Sequence, residues 1–247
     1  MSTVVSAPPV ASATFRPSFF FWMTLLMAFF VFGGFGMTYF FPLATGTFPP
    51  APPVVHLHGF VYSTWMILLV VQAGLVNVRN VRLHRSLGMY AIAHAMAVIL
   101  MGCLITILGA SGITSPKGPN HGIFLGYMAV TGFGLLFTLA IRNRGNHDVH
   151  RRLILFAMLP ILPPGIHRLY MVPFGIMYFP LVPMYITLDL MALAIIVQEW
   201  RASGAINKYT WTGVGWLLFQ QVFHATFGMS EVSGVVNQWI GSLAYYR

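Results

Sequence analysis

The chain has 247 residues, 57% of them hydrophobic and only 7% charged, where a soluble domain carries about 25% charged residues. Those figures exclude a soluble globular protein, and equally a disordered or collagen-like one. The net charge of +9 would suit nucleic acid only if the basic residues shared a water-facing surface; here they punctuate apolar runs, so the expected partner is the lipid bilayer, with no nucleic acid.

Residues 1–17 form an N-terminal tail on the cytoplasmic side. Arg16 precedes an apolar run from Phe19 to Phe41, longer than the roughly 7–15 residue core of a signal peptide, so the run is expected to be a retained helix. A transmembrane helix takes about 20 apolar residues, and runs of that kind fall at 18–41, 56–78, 86–110, 121–141, 153–172, 176–198 and 211–230. The expectation is an all-α, polytopic membrane bundle of about seven helices in one domain, 18–230. The Pro-rich segment TGTFPPAPP after the first run cannot continue a helix and should turn outside the membrane. Span five contains Pro160, Pro163 and Pro164 and should kink; irregular backbone at membrane depth is tolerated where it packs in protein or lines a cavity. Residues 231–247, with Trp239, Tyr245 and Tyr246, suit an interfacial tail. The single cysteine, Cys103, excludes an intramolecular disulfide and a Cys-based metal site.

Lys and Arg in short loops gather on the cytoplasmic side. Arg16, Arg79, Arg82, Arg85, Arg142, Arg144, Arg151, Arg152, Arg201 and Lys208 fall on one side, against Lys117, Arg168 and Arg247 on the other. This places the N-terminus in the cytoplasm and, with seven spans, the C-terminus outside.

Nine histidines stand out among so few polar residues, because ionisable side chains in membrane spans usually face a bundle interior or cavity. Two segments share an order: His58-Gly59, an apolar span, a basic turn and His84-Arg85; then His121-Gly122, a span, a basic turn and His150-Arg151. Helix-boundary preferences explain this echo as well as a duplicated helix pair does. His58 and His121 fall at outer helix ends, and His84 and His150 at cytoplasmic ones. At about 1.5 Å per residue, His94 lies roughly 15 Å beyond His84, near mid-bilayer, while His224 lies about 20 Å into span seven.

His58, His121, His167 and His224 are therefore expected to approach one another, with His58, His121 and His167 as candidate metal ligands. Neutral imidazole is the commonest metal ligand and the axial ligand of b-type haem. Arg168, and Arg85 or Arg151 at the other level, could hold propionates. Each of His94, His167 and His224 equally suits hydrogen bonding between helices. His84, His147 and His150 suit contacts with water, lipid phosphate or a helix end. His56 and His58 lie roughly 200° apart on a helix, so one of them, His58, should face inward. Gln72, Gln220 and Gln221 can bond across helices, and Asp189, the one carboxylate well inside a span, suggests a polar cavity nearby. Gly33-Gly34-Phe35-Gly36 and Gly132-Phe133-Gly134 should permit close helix approach. The 15 methionines and the aromatic residues read mainly as packing, with quinone or lipid binding as an alternative.

The stretches HLHGFVYSTWMILLVVQAGLVNVRNVRLHRSL and RNRGNHDVHRRLILFAMLPILPPGIHRL resemble a loose group of bacterial multi-pass membrane proteins. In that group an H-G helix bearing Trp and Gln leads to an H-R-x-L-G turn, followed by a second H-R motif and a further Arg. Here these are Trp65, Gln72, His84, Arg85, Leu87, Gly88, His150, Arg151, Leu153 and Arg168. The resemblance implies a bacterial cytoplasmic (inner) membrane and no particular activity. A distant, fold-level resemblance to transmembrane b-type cytochromes also exists, without their ligand spacing.

The functional expectation is an integral membrane redox protein that binds haem b, or less readily copper, and exchanges electrons with quinone or a partner complex. The alternative is a non-catalytic subunit or scaffold among other membrane protein subunits. A zinc-dependent lipid hydrolase ranks lower because Asp189 would be its sole intramembrane base, and a transporter lower because span five is broken but little charge accompanies it. A retinal protein is disfavoured, since Lys117 and Lys208 both lie in loops.

Overall fold

The computed structural model describes residues 17–112, 123–175 and 180–243, and among these the chain is all-helical, with no strand. α1 (Phe19–Phe35) starts at Ser18, whose side chain accepts from the Phe21 amide, satisfying a helix-start donor. It runs through a π-helical turn (Gly36–Phe40) and one α turn (Phe41–Ala44). α2 spans Pro53–Asn77, with proline at its first turn, where the missing N–H costs nothing. α3 spans Val81–Ala110 and begins five residues before the predicted run, because Asn80 caps the Leu83 amide and draws the basic turn into the helix. α4 spans Ile123–Arg142.

α5 (His147–Met158), capped by Asn146, tightens into a 3₁₀ turn (Leu159–Ile161) and gives way to α6 (Pro163–Phe174), bent by 50° from it. The predicted kink is there, and its cause is visible. Pro163 and Pro164 have no N–H to offer the carbonyls of Leu159 and Pro160. The Leu162 amide takes the first (3.3 Å), and Gln220 Nε2 from a neighbouring helix takes the second (3.3 Å). Gly175 then ends α6 in the left-handed conformation, φ 61°. α7 (Leu181–Ser203), α8 (Lys208–Phe223, extended by a π turn, His224–Gly228) and α9 (Glu231–Leu243) complete the chain.

Among the described residues, five helices are long and apolar enough to cross a membrane, and the bent α5–α6 pair makes a sixth if it is one span. The seventh predicted span does fold as a helix, α8 with its π turn, but it falls outside that set. Gln220, Gln221 and His224 dilute its apolar character. The C-terminal α9 packs on α3, where Gly241 approaches the Ala110 carbonyl. At about 1.5 Å per residue its 13 residues reach roughly 20 Å.

The core runs through α4, α5 and α6, where Phe133, Leu136, Leu153, Phe156, Leu159, Leu162 and Ile166 are shut from the surface. Trp22, Phe60, Leu100, Leu190 and Val222 face outward, an apolar exterior consistent with contact with a bilayer. Small residues set the closest approaches, as expected. A Cβ on Gly34 would strike the Gly165 carbonyl, one on Gly165 would lie 2.7 Å from the Phe30 carbonyl, and one on Gly132 would overlap the Trp216 indole. α1 and α6 therefore meet backbone to backbone.

Candidate functional site

A cavity of about 490 Å³ opens among α1 with its π turn, α2, α3, α4 and the α5–α6 break. It lies toward the end of the bundle where α2 and α4 begin and α3 stops. Between Val55 and Met66, both in its wall, α2 rises about 16 Å, so the cavity reaches from near the bundle's end to its middle. The deep end is closed by Trp65, Met66 and Met158, with the Trp65 indole N–H directed at the Met158 sulfur (3.2 Å). Trp65 is fixed by edge contacts with Phe133 and Phe137 and by stacking on His94.

The polar side chains in the wall are mostly committed to the protein. Thr38 donates to the Gly34 carbonyl (3.1 Å), Thr106 to that of Gly102 (2.7 Å) and Tyr62 to that of Val98 (3.1 Å), while the Tyr39 hydroxyl bonds His56 Nδ1 (2.9 Å). His58 and Arg168 are the two groups in the cavity wall that carry or can carry positive charge. The His58 ring leans on Tyr62, centroids 4.2 Å apart, and its buried Nδ1 has no hydrogen-bond partner among the described residues. Arg168 spends one N–H on the Pro164 carbonyl (2.5 Å) and lies 4.3 Å over the Phe35 ring, within electrostatic reach of His58.

Most of the other described histidines are held by other parts of the protein. His94, half-buried, donates from Nε2 to the Val61 carbonyl (3.0 Å), with Thr64 at 3.3 Å, and so ties α3 to α2. His224, with 1% of its surface exposed, is the most buried of the described histidines in place of His94, and its Nδ1 bonds the Tyr185 hydroxyl (2.6 Å). His167 donates from Nδ1 to the Pro163 carbonyl (3.0 Å) and is not in the cavity wall. His121 lies outside the described residues. Among those described, no three His, Cys, Asp or Glu side chains form a group able to hold a metal ion, so His58, His167 and His224 do not come together as a ligand set. His56, expected to face away, is also engaged, through Tyr39.

The echoed histidines have matching places. Gln72, with its amide nitrogen toward α3, donates to His84 Nδ1 (2.6 Å) and the His84 carbonyl (3.2 Å) and accepts from the Gly88 amide (3.0 Å). His150 donates from Nδ1 to the Ala140 carbonyl (2.9 Å). Each histidine opens the second helix of a hairpin and ties it to the first, which gives Gln72, His84, Gly88 and His150 a physical role.

Two further features depart from expectation. Asp189 does not border the cavity; it accepts from Gln221 Nε2 (2.8 Å) across α7 and α8. A buried ion pair was not foreseen: Arg152 and Glu199 meet at 3.2 Å, both nearly inaccessible, and Glu199 also accepts from the Thr210 hydroxyl (2.5 Å) and the Asn207 amide (3.2 Å). Arg152, expected in a basic cytoplasmic loop, instead shares an inward-turned face of α5 with Val149, Leu153 and Phe156. The chain matches no protein-family model, no curated protein and no solved structure.

Proposed function

We propose that this is a seven-span membrane protein, N-terminus in the cytoplasm, that takes one membrane-soluble amphiphile into the cavity between α1, α2, α3, α4 and α6. The observation that carries the reading is the cavity itself. A space of about 490 Å³ is within the usual range of small-molecule sites, roughly 300–1,000 Å³. Its walls are apolar along most of their length, and its two basic side chains, His58 and Arg168, sit five residues from the start of α2 and six from the end of α6. Both are thus roughly 8 Å below the helix ends. An amphiphile with its head at that level and its tail toward Trp65 keeps the orientation it has in the bilayer.

A redox role is the second reading, favoured by one observation: the imidazole of His58 borders the cavity beside an arginine. In that reading His58 is an axial ligand to haem b and Arg168 pairs with a propionate, or the two bind the carbonyls of a quinone. A reduced-minus-oxidised visible spectrum of detergent-purified protein, with iron analysis and solvent extraction of the same sample, separates these. Haem bands with stoichiometric iron support the cytochrome form, and an extracted quinone the other. A colourless protein yielding a single-chain amphiphile supports the first reading; one that neither carries nor takes up any apolar molecule overturns both. Reporter fusions at the two termini test the seven crossings: a cytoplasmic N-terminus and external C-terminus are expected.

A further inference from the structure

Resting on the cavity reading above, we infer that the amphiphile is an anion, a single long-chain carboxylate whose head is held by Arg168 with His58 beside it. The argument begins from charge. The whole sequence contains four acidic side chains, and each is accounted for elsewhere. Asp148 pairs with Arg151 on the surface (2.6 Å), Glu199 with Arg152 (3.2 Å), Asp189 holds Gln221 (2.8 Å), and Glu231 opens α9. No acidic side chain, in the described residues or outside them, is left for Arg168. Arginine keeps its charge at any ordinary pH, and a cation below the membrane surface calls for a partner. Its hydrogen bond to the Pro164 carbonyl, the one it makes among the described residues, uses a single one of five donors.

The side chain is also held ready. The Pro164 carbonyl and the Phe35 ring fix the guanidinium from two sides, so the fork that matches a carboxylate in two parallel hydrogen bonds costs little entropy to present. His58 lines the same cavity, its ring set by Tyr62 and its buried Nδ1 without a partner among the described residues, so its imidazole is left to bond the same head. The space fits one chain. A cavity of about 490 Å³ that follows α2 for about 16 Å has the length and volume for one acyl chain lying along that helix. The Trp65–Met158 floor and the apolar walls above it take the tail.

The test uses full-length protein, stripped of lipid in detergent and returned to nanodiscs of neutral lipid. Binding of labelled palmitate, methyl palmitate, a long-chain alkyl phosphate and a short-tailed quinone is measured, together with the shift each causes in thermal unfolding. Palmitate is expected to bind at one per chain, about tenfold or more tighter than its ester, as the loss of a charge-assisted pair implies. Arg168→Gln should bring palmitate down to the level of the ester and leave the ester unchanged; Ser63→Phe, which fills the cavity, should weaken both. Equal binding of acid and ester overturns the carboxylate inference and leaves the cavity reading standing. Preference for the alkyl phosphate or the quinone overturns the head-group assignment alone. No binding of any probe, or binding that survives Ser63→Phe, overturns the cavity reading with it.

Discussion

Glu199→Gln should destabilise the protein by about 3–5 kcal/mol, the cost of removing one partner from a buried ion pair. In the folded protein the carboxylate serves three donors from two other helices and a loop: Arg152 on α5, Thr210 on α8 and the Asn207 amide. The neutral amide can keep one or two of these bonds but cannot balance Arg152, whose side chain is 7% exposed and whose Nε already has no partner among the described residues. Thr210→Val, which removes a hydrogen bond to the charged group and little volume, should cost about 1.5–3 kcal/mol. Arg152→Met combined with Glu199→Leu should recover most of the loss, because an apolar pair has no charge to leave bare. The assay is reversible unfolding in mixed micelles followed by tryptophan fluorescence. A Glu199→Gln protein within about 0.5 kcal/mol of the parent would refute the reasoning, as would a double variant no better than the single.

Gly165→Ala should lower stability by about 1–3 kcal/mol in the same assay, the cost of forcing volume into a close contact, since the new methyl would sit 2.7 Å from the Phe30 carbonyl. Gln220→Leu strips the donor from the Pro160 carbonyl and should cost about 1–3 kcal/mol; hydrogen exchange should then quicken around the 159–164 break before it does elsewhere. Gln72→Leu and His84→Phe should each destabilise, and a double-mutant cycle should return a coupling of about 1 kcal/mol through their 2.6 Å bond; additive losses would show the two residues act separately.

The helices were legible because their cause is local. Apolar runs of spanning length, the two prolines at 163 and 164, and the glycine at 34 each act through the chain immediately around them, and the helices, a bend in span five and a close helix approach followed; that the approach joins Gly34 to Gly165 of α6 did not. The seventh span was legible as a helix and not as a membrane-spanning apolar one, because Gln220 and Gln221 do two jobs at once: they lower apolar character and supply donors to Pro160 and Asp189. Arg168 was read as a partner for haem propionates, and the structure places it with His58 in the wall of one cavity. Convergence of the histidines was not legible, since it depends on how helices rotate against one another. Rotation spends His94 on Val61 and His224 on Tyr185. The Arg152–Glu199 pair was hidden for the same reason: 47 residues apart in the chain, the two meet only when α5 and α7 turn their polar positions toward each other.

The bend between α5 and α6 acts as a lever. α6 is 12 residues long, about 18 Å, and a deflection of 50° carries its far end roughly 15 Å from where a straight continuation would put it. Arg168, halfway along, is displaced by about 8 Å on the same geometry. Two missing N–H groups at the fulcrum thus decide which compartment a cation occupies, and the fulcrum is steadied by a single amide from α8. Straightening that arm would move the charge out of the chamber, and Pro164, one of the two prolines at the fulcrum, is itself part of the chamber wall, so the position of the arginine is written in the prolines.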